Sequence, residues 1–312
     1  MLCKHKVGSS NLSGGTKFYI MLKDLTIVTL DSLNHEATRF AIDKTLEIFP
    51  DADLIQIGDR QYHDKGRFYQ VPKFDAREHS RMCLNMVPDL VETNYALFIQ
   101  YDGFPTQAQY WDDEFLKYDY IGAPWNQVGS GWDVGNGGFS FRSKKLLNYM
   151  KMINPDAFGK DSPQKGWLED QLICVTHRRW LMMQGIEYAP KVVANKFSHE
   201  HPTGYRHSFG FHGCNQVPYY LTDQEFTTWI TAIDDSTFLN QNLLLTPYGL
   251  WKKDMWISLR ALMVRGNKLV EDWNEKVWQE LRWVIPHFVD PGADLNEIHQ
   301  MVFRMGAPEE GS

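Results

Sequence analysis

Asp102 follows the apolar run Leu97-Phe98-Ile99-Gln100 and precedes Gly103 and Pro105. A carboxylate just beyond a buried strand, beside a glycine turn, can hold a hard divalent cation against a diphosphate, because such cations take oxygen ligands and keep positions open. The same residue can also simply close a turn. Glu169 and Asp170 are adjacent acids opening a helical pattern. Acids suit the positive N-terminal end of a helix, and one of them is also placed to act as a general base toward an acceptor hydroxyl. Neighbours on a helix point about 100° apart, so only one can face a given site. Val134-Gly135-Asn136-Gly137-Gly138 puts three glycines around one asparagine, which lets backbone N–H groups approach a ligand closely or forms a plain turn. It is neither a Walker loop nor a dinucleotide fingerprint, since it lacks Gly-Lys-Ser/Thr and precedes a strand. Arg142, four residues on, can meet a phosphate or a carboxylate. His199, His201, His207 and His212 cluster with Glu200 at no standard zinc spacing. A single histidine completing a phosphate-bound cation suits the pattern better, and His212, between Phe211 and Gly213, is the candidate. Such a ligand must be neutral, so binding would weaken below about pH 6.5.

These groups need a scaffold. Leu25-Thr26-Ile27-Val28-Thr29-Leu30 reads as a buried strand, followed by helical spacing at Ala37, Phe40, Ala41 and Ile48. Asp53 to Gly58 reads as a second strand, so strand–helix–strand predicts a parallel sheet. Asp75-Ala76-Arg77-Glu78 is a capping box opening a helix to about Leu90. Tyr95 to Gln100 is a third strand, ending where open α/β sheets bind ligands. A short helix around Ala108–Leu116, a glycine-rich stretch over 129–138 and a strand Phe139–Arg142 follow. Helices are expected near Ser143–Ile153 and Leu168–Gln184, the latter with Leu168, Leu172 and Val175 on one stripe.

Near Asn215 the character changes. Thr222–Glu225 is a second capping box, and helices are expected near Tyr248–Val264 and Asn267–Val284. Six of the eleven tryptophans lie in this tail, and their helical spacing favours core packing over sugar stacking. The expected organisation is therefore a non-native or disordered extension over 1–20, with Met21 as the native start, a catalytic domain over 21–214 and a helical region over 215–312.

The whole chain sets limits. Its 312 residues and 36.4 kDa suit about two domains, and 43% hydrophobic with 23% charged residues is globular composition. A net charge of −7 and a pI of about 5.9 argue against broad attraction to nucleic acid. No apolar run reaches the ~18–20 residues of a membrane helix. Cys3, Cys83, Cys174 and Cys214 form no CxxC pair and read as free thiols in a reducing compartment.

The ordered set Phe98–Asp102, Tyr118-Asp119-Tyr120-Ile121-Gly122-Ala123-Pro124-Trp125, Val134–Arg142, Glu169-Asp170 and Phe197-Ser198-His199-Glu200 resembles a glycosyltransferase-like family known mostly as a domain of unknown function. The match runs from Leu25 to Gly213. The family is similar to the GT-A class of nucleotide-sugar transferases, which implies a Rossmann-like mixed sheet flanked by helices, here with a C-terminal α-helical appendix. The resemblance implies roles. Asp102 would stand for the last acid of the DxD motif, with Gln100 in place of the first, and His212 for the C-terminal metal ligand. Asp170 would be the base of the xED motif with Glu169 beside it. Trp125 and Gly135, Asn136, Gly137 and Gly138 would lie near donor and acceptor, Arg142 near the donor, and Thr29, Leu30 and Asp31 near its base and ribose. The implied activity is transfer of a sugar from a nucleoside-diphosphate donor to a glycan, lipid-linked or protein hydroxyl, assisted by Mn²⁺ or Mg²⁺ and inverting. The alternative is an inactive nucleotide- or glycan-binding protein of the same fold, which Gln100 favours. A cytoplasmic or membrane-peripheral protein, with room for a homo-oligomer, is expected.

Overall fold

A computed structural model describes residues 7–12, 15–125, 133–156, 168–200, 207–241, 243–244 and 246–306. Cys3, His201 and the 129–132 part of the glycine-rich stretch lie outside them. Two compact units form, one ending at His212 and one beginning at Gly213.

The first unit is a mixed α/β structure. Its strands are β1 (Val7–Leu12), β2 (Gly15–Ile20), β3 (Leu25–Asp31), β4 (Asp53–Gly58), β5 (Arg67–Gln70), β6 (Tyr95–Phe98), β7 (Gly103–Pro105), β8 (Tyr120–Gly122), β9 (Ser140–Ser143), β10 (Ser198–His199) and β11 (Gly210–His212). The central sheet has the order β5-β4-β3-β6-β9-β8. β3 pairs in parallel with both β4 and β6, as strand–helix–strand spacing requires, whereas β9 is antiparallel to β6 and β8. All seven residues of β3 are buried, because a parallel strand is covered on both faces. A three-stranded sheet, β10-β11-β7, carries His212. Beneath it lies an aromatic cluster in which Phe139 stacks on Phe197 at 4.7 Å and Phe209 packs against Phe49, Trp111 and Phe197. Val7–Leu12 and Gly15–Ile20 form an antiparallel hairpin, in a stretch whose sequence carries no strand periodicity.

Local chemistry sets several boundaries. Asp75 accepts from Arg77 N and Glu78 N while Glu78 reaches back to Asp75 N, which closes the expected capping box. The helix over Ala76–Asn85 does not continue to Leu90: it restarts over Val87–Leu90 because Pro88 has no N–H to give the preceding turn. The expected helix Ala108–Leu116 is two 3₁₀ turns, Ala108–Tyr110 and Asp113–Lys117. The helix expected over Leu168–Gln184 is broken into Glu169–Gln171, a wide π turn over Leu172–Thr176, and Arg178–Met183. His177 N bonds to Leu172 O at 2.8 Å, five residues back. That turn ends the α-helical stripe: Leu172 is fully buried whereas Val175, three residues on, is 39% exposed.

The second unit is helical over its described residues, with helices including Asp223–Ala232, Thr246–Lys252, Trp256–Leu269, Trp273–Val284 and Leu295–Met305. The Thr222–Glu225 capping box forms. The helix expected over Tyr248–Val264 is interrupted at Asp254, and the next begins only after Asp272; both aspartates have φ of 55°. Trp229 and Trp273 are buried, as helical spacing predicts, but Trp256 and Trp283 are 43% and 59% exposed. Cys83, Cys174 and Cys214 are buried free thiols. No helix among the described residues is long and apolar enough to cross a membrane.

Candidate active site

The C-terminal ends of β3 and β6 open onto a cavity of about 320 Å³ in the first unit. Leu30 and Asp31 come from β3, and Gln100 and Tyr101 follow β6. Asn136–Gly138 supply the loop, Leu168–Asp170 a helix start, and His212 the end of β11. Of the residues singled out in the sequence, Leu30, Asp31, Gln100, Asn136, Gly137, Gly138, Glu169, Asp170 and His212 line this one cavity.

Five others do not line it. Thr29 is fully buried in β3. Asp102 is 6% exposed, its Oδ1 3.9 Å from His212 Nε2. Trp125 lies over Gly135, where any side chain would strike the indole ring. Arg142 is fully buried and takes the carboxylate of the two partners its sequence allowed. Its Nη2 lies 3.1 Å from Glu169 Oε1, its Nε donates to Ser140 Oγ at 3.0 Å, and its guanidinium sits 3.8 Å over the Phe98 ring. It therefore stands behind the wall rather than on it, and its expected donor contact is replaced by this ion pair. Asp31 faces the cavity, but its carboxylate is engaged: Oδ1 accepts from Leu33 N at 2.6 Å and Asn34 N at 2.7 Å, and Oδ2 from Thr38 Oγ1. Its role is to turn β3 into the helix His35–Ile48.

The adjacent acids have opposite electrostatics. Burial pushes Glu169 up, but Arg142 and then His79 more than offset it, leaving its pKa below the ordinary carboxylate value. Asp170 is pushed up to about 7 by burial and by the Glu169 charge beside it, although it accepts from Gln171 N at 2.7 Å and Gly137 N at 3.2 Å. One acid is thus held ionised in a buried pair, while the other titrates near neutrality on the cavity wall. The pKa of His79, also on the wall, is pushed below the ordinary imidazole value by burial.

Asn136 organises the opposite end. Its Oδ1 accepts from Gly138 N at 3.0 Å and Phe139 N at 3.4 Å, which fixes which end of the amide is oxygen. Its Nδ2 then donates to Glu200 Oε1 at 3.1 Å and lies 2.9 Å from His212 Nδ1. Burial disfavours the His212 imidazolium, but Asp102 and Glu200 prevail and push its pKa up to about 9. Glycine is required beneath the ring. A Cβ on Gly138 would lie 2.5 Å from His212 Cδ2 and 2.6 Å from Gln100 Oε1, and one on Gly103 would lie 2.6 Å from His212 Cδ2. Gly138→Ala should therefore displace His212 and Gln100 and destabilise the first unit by about 1–3 kcal/mol, the usual cost of overpacking, as read by denaturant unfolding.

Among the described residues, no group of three His, Cys, Asp or Glu side chains could hold a metal ion. Asp102 and His212 supply at most two donors. Their 3.9 Å separation exceeds the roughly 3.0 Å between adjacent ligands of an octahedral cation with ~2.1 Å bonds, and with its raised pKa His212 would have to give up a proton to ligate one.

Sequence reasoning missed His79, Phe74 and Asn34 on the wall, and gave Glu200 a place in a histidine cluster without a partner. Only the capping box before His79 was a usable signal.

The cavity lies at parallel strand ends of a mixed α/β unit, with acids on one side and a histidine on the other, the place where open α/β sheets take ligands. Residues 74–212, just under half of the chain, match the model of a family described as a protein of unknown function, DUF5672. No curated protein matches the chain. Among solved structures, similarity extends to a glycosyltransferase involved in the glycosylation of the major capsid of PBCV-1. The two are 13% identical with a TM-score of 0.42, over 61% of this chain and 92% of that one. It extends also to the mannosyltransferase PcManGT from Pyrobaculum calidifontis, solved with GDP-Man and Mn²⁺, at 7% identity and a TM-score of 0.38 over 90% and 84% of the respective chains. A third is S. aureus TarS 1–349 in complex with UDP-GlcNAc, at 12% identity and a TM-score of 0.33 over 92% and 93%. These likenesses assign no residue.

Proposed function

We propose that the first unit is a glycosyltransferase that moves a sugar from a nucleoside-diphosphate donor to a hydroxyl of a glycan, lipid-linked or protein acceptor, with inversion at the anomeric carbon. The observation that carries this reading is that one cavity at the strand ends is lined by Asp170, an acid whose pKa is pushed up to about 7, and by His212, with Asp102 off the cavity wall 3.9 Å from the histidine. Asp170 takes the acceptor proton as the hydroxyl oxygen bonds to the anomeric carbon. The bond from that carbon to the diphosphate breaks, and its electron pair leaves with the diphosphate. Glu169 does not touch the acceptor in this scheme. Held by Arg142, it keeps a negative charge beside Asp170 and so raises its proton affinity. The Gly137 and Gly138 backbone lets the donor approach between the two ends. Asp102 and His212, the latter once it has given up its proton, would hold Mn²⁺ or Mg²⁺, which when bound neutralises charge on the leaving diphosphate. Gln100 in place of a second acid leaves one fewer negative charge at that end, which predicts modest metal affinity.

A panel of nucleoside diphosphates, each with Mn²⁺ and with chelator, tests the donor site by thermal stabilisation. One nucleotide is expected to stabilise the fold in a metal-dependent way, by about 2.7 kcal/mol at a hundredfold excess over Kd. No stabilisation by any of them would leave the fold intact but favour a glycan-binding protein without a donor site.

A further inference from the structure

The strand Tyr120–Gly122 packs against the glycine loop, and the transferase scheme uses none of its residues. Tyr120 is fully buried, and its single hydroxyl hydrogen is shared between Gly135 O and, at 2.9 Å, Asn136 O. Gly122, two residues on and so on the same face of β8, leaves room for those carbonyls: a Cβ there would run into both. Asn136 O and Gly137 N belong to one peptide group, which is planar and, being trans, carries its C=O and N–H on opposite sides. Tyr120 holds the oxygen side of that plane. On the other side Gly137 N donates to Asp170 Oδ2 at 3.2 Å. A hydrogen bond to the carbonyl also polarises the peptide and strengthens its N–H as a donor. The next peptide repeats the pattern. Gly137 O accepts from Ser140 Oγ at 3.0 Å and Arg142 Nη2 at 3.3 Å, while Gly138 N donates to Asn136 Oδ1 at 3.0 Å.

We infer that Tyr120 is a positioning residue for Asp170: by gripping the oxygen side of the Asn136–Gly137 peptide it aims Gly137 N–H at the Asp170 carboxylate and fixes where that carboxylate stands in the cavity. Its consequence for turnover rests on the transferase reading above, in which Asp170 takes the acceptor proton. Burial pushes the Tyr120 phenol well above its ordinary pKa, so Tyr120→Phe removes a hydrogen bond and no charge at neutral pH. The charged groups that act on Asp170 are Glu169, Arg142 and His212, and the nearby Cys83 and Cys174 thiols are kept neutral by burial. Tyr120→Phe alters none of these, so its effect on Asp170 must pass through the loop.

The test is a pH titration of the Asp170 carboxyl carbon by NMR in the full chain carrying ¹³C-labelled aspartate, the signal being assigned by its loss in Asp170→Asn, with Tm and turnover recorded for each variant. Tyr120→Phe is expected to raise the Asp170 midpoint from its native value of about 7 by about one unit, a tenfold gain in proton affinity, because the ionised form loses a hydrogen bond. The inflection of the rate against pH should move with it. Gly122→Ala, which presses on the same two carbonyls, should move the midpoint in the same direction, and carries the test if Tyr120→Phe does not fold. Tyr95→Phe removes a hydroxyl that donates to Leu116 O at 3.2 Å in the same sheet, and should leave the Asp170 midpoint unchanged whatever its Tm. A midpoint that stays in place in both Tyr120→Phe and Gly122→Ala would make Tyr120 structural only and overturn the inference, as would an equal shift in Tyr95→Phe. The expected shift in a chain that turns over no nucleotide sugar would keep the positioning role and remove the transferase reading.

Discussion

Asp170→Asn is expected to lower the rate of sugar transfer by about 10²–10⁴-fold while leaving donor affinity unchanged, because it removes the proton acceptor and keeps the shape of the side chain. The amide oxygen can keep only one of the two backbone donors, Gly137 N or Gln171 N, so some loosening of the loop or the helix start is expected alongside the loss of the base. The pH dependence gives a second signature. Asp170 must be ionised to accept a proton, and its pKa is about 7, so the native rate should rise with pH through neutrality and level off above about pH 8. The variant should lose that inflection. Linkage predicts the effect on stability. A carboxyl whose pKa is raised on folding binds its proton more tightly in the folded chain, so stability falls as pH climbs from the unfolded value near 4 to about 7. Asp170→Asn escapes this cost, and its Tm should exceed the native Tm by more at pH 8 than at pH 5. Near-normal turnover in the variant, measured as nucleoside diphosphate released per acceptor glycosylated, would move the base role to another residue.

Arg142→Ala should destabilise the first unit by about 3–5 kcal/mol, the cost of leaving one partner of a buried ion pair charged and alone. His79 also favours the Glu169 charge, but burial disfavours its own cation, so it does not make up for the guanidinium, which also donates to Gly137 O at 3.3 Å and so ties the glycine loop to β9. In the native chain the lowered Glu169 pKa contributes stability that is present above the unfolded carboxylate pKa and lost as pH falls below it. Without Arg142 the sign reverses: burial then dominates, Glu169 takes up a proton, and the variant should be least stable at high pH. Replacing both partners by neutral residues of similar volume, Arg142→Met with Glu169→Gln, should recover most of the loss. Denaturant unfolding at pH 5 and pH 8 measures both effects. A loss below about 1 kcal/mol in Arg142→Ala would show that the pair does not hold the site together.

These two residues also show what the sequence could and could not reveal. The parallel core was legible because β3 and β4 announce themselves as β-branched apolar runs separated by helical spacing, and both capping boxes are local patterns that close within three residues. The Arg142–Glu169 pair was not legible: it joins residues 27 apart, each of which looked equally suited to a ligand. The family resemblance puts Asp31 near the base and ribose of a nucleotide; in the fold it faces the cavity while the N–H groups of its own turn engage its carboxylate, a local contact that the sequence does not show. The strands β7, β10 and β11 are two or three residues long, too short for any period to register, and they alone bring His212 near Asp102. The break at Pro88 had a visible cause, whereas the π turn at Leu172–Thr176 is one inserted residue in an otherwise acceptable helical pattern.

The central claim is that one cavity joins a proton acceptor to a cation-assisted diphosphate site. The most direct test follows nucleoside diphosphate release from a panel of nucleotide sugars with Mn²⁺, comparing the native chain with Asp170→Asn and Asp102→Ala. The account predicts turnover of one donor by the native chain. It predicts loss of turnover with retained donor binding in Asp170→Asn, and loss of metal-dependent donor binding in Asp102→Ala. Turnover that survives both substitutions, or donor binding that is indifferent to chelator and to Asp102, would contradict it.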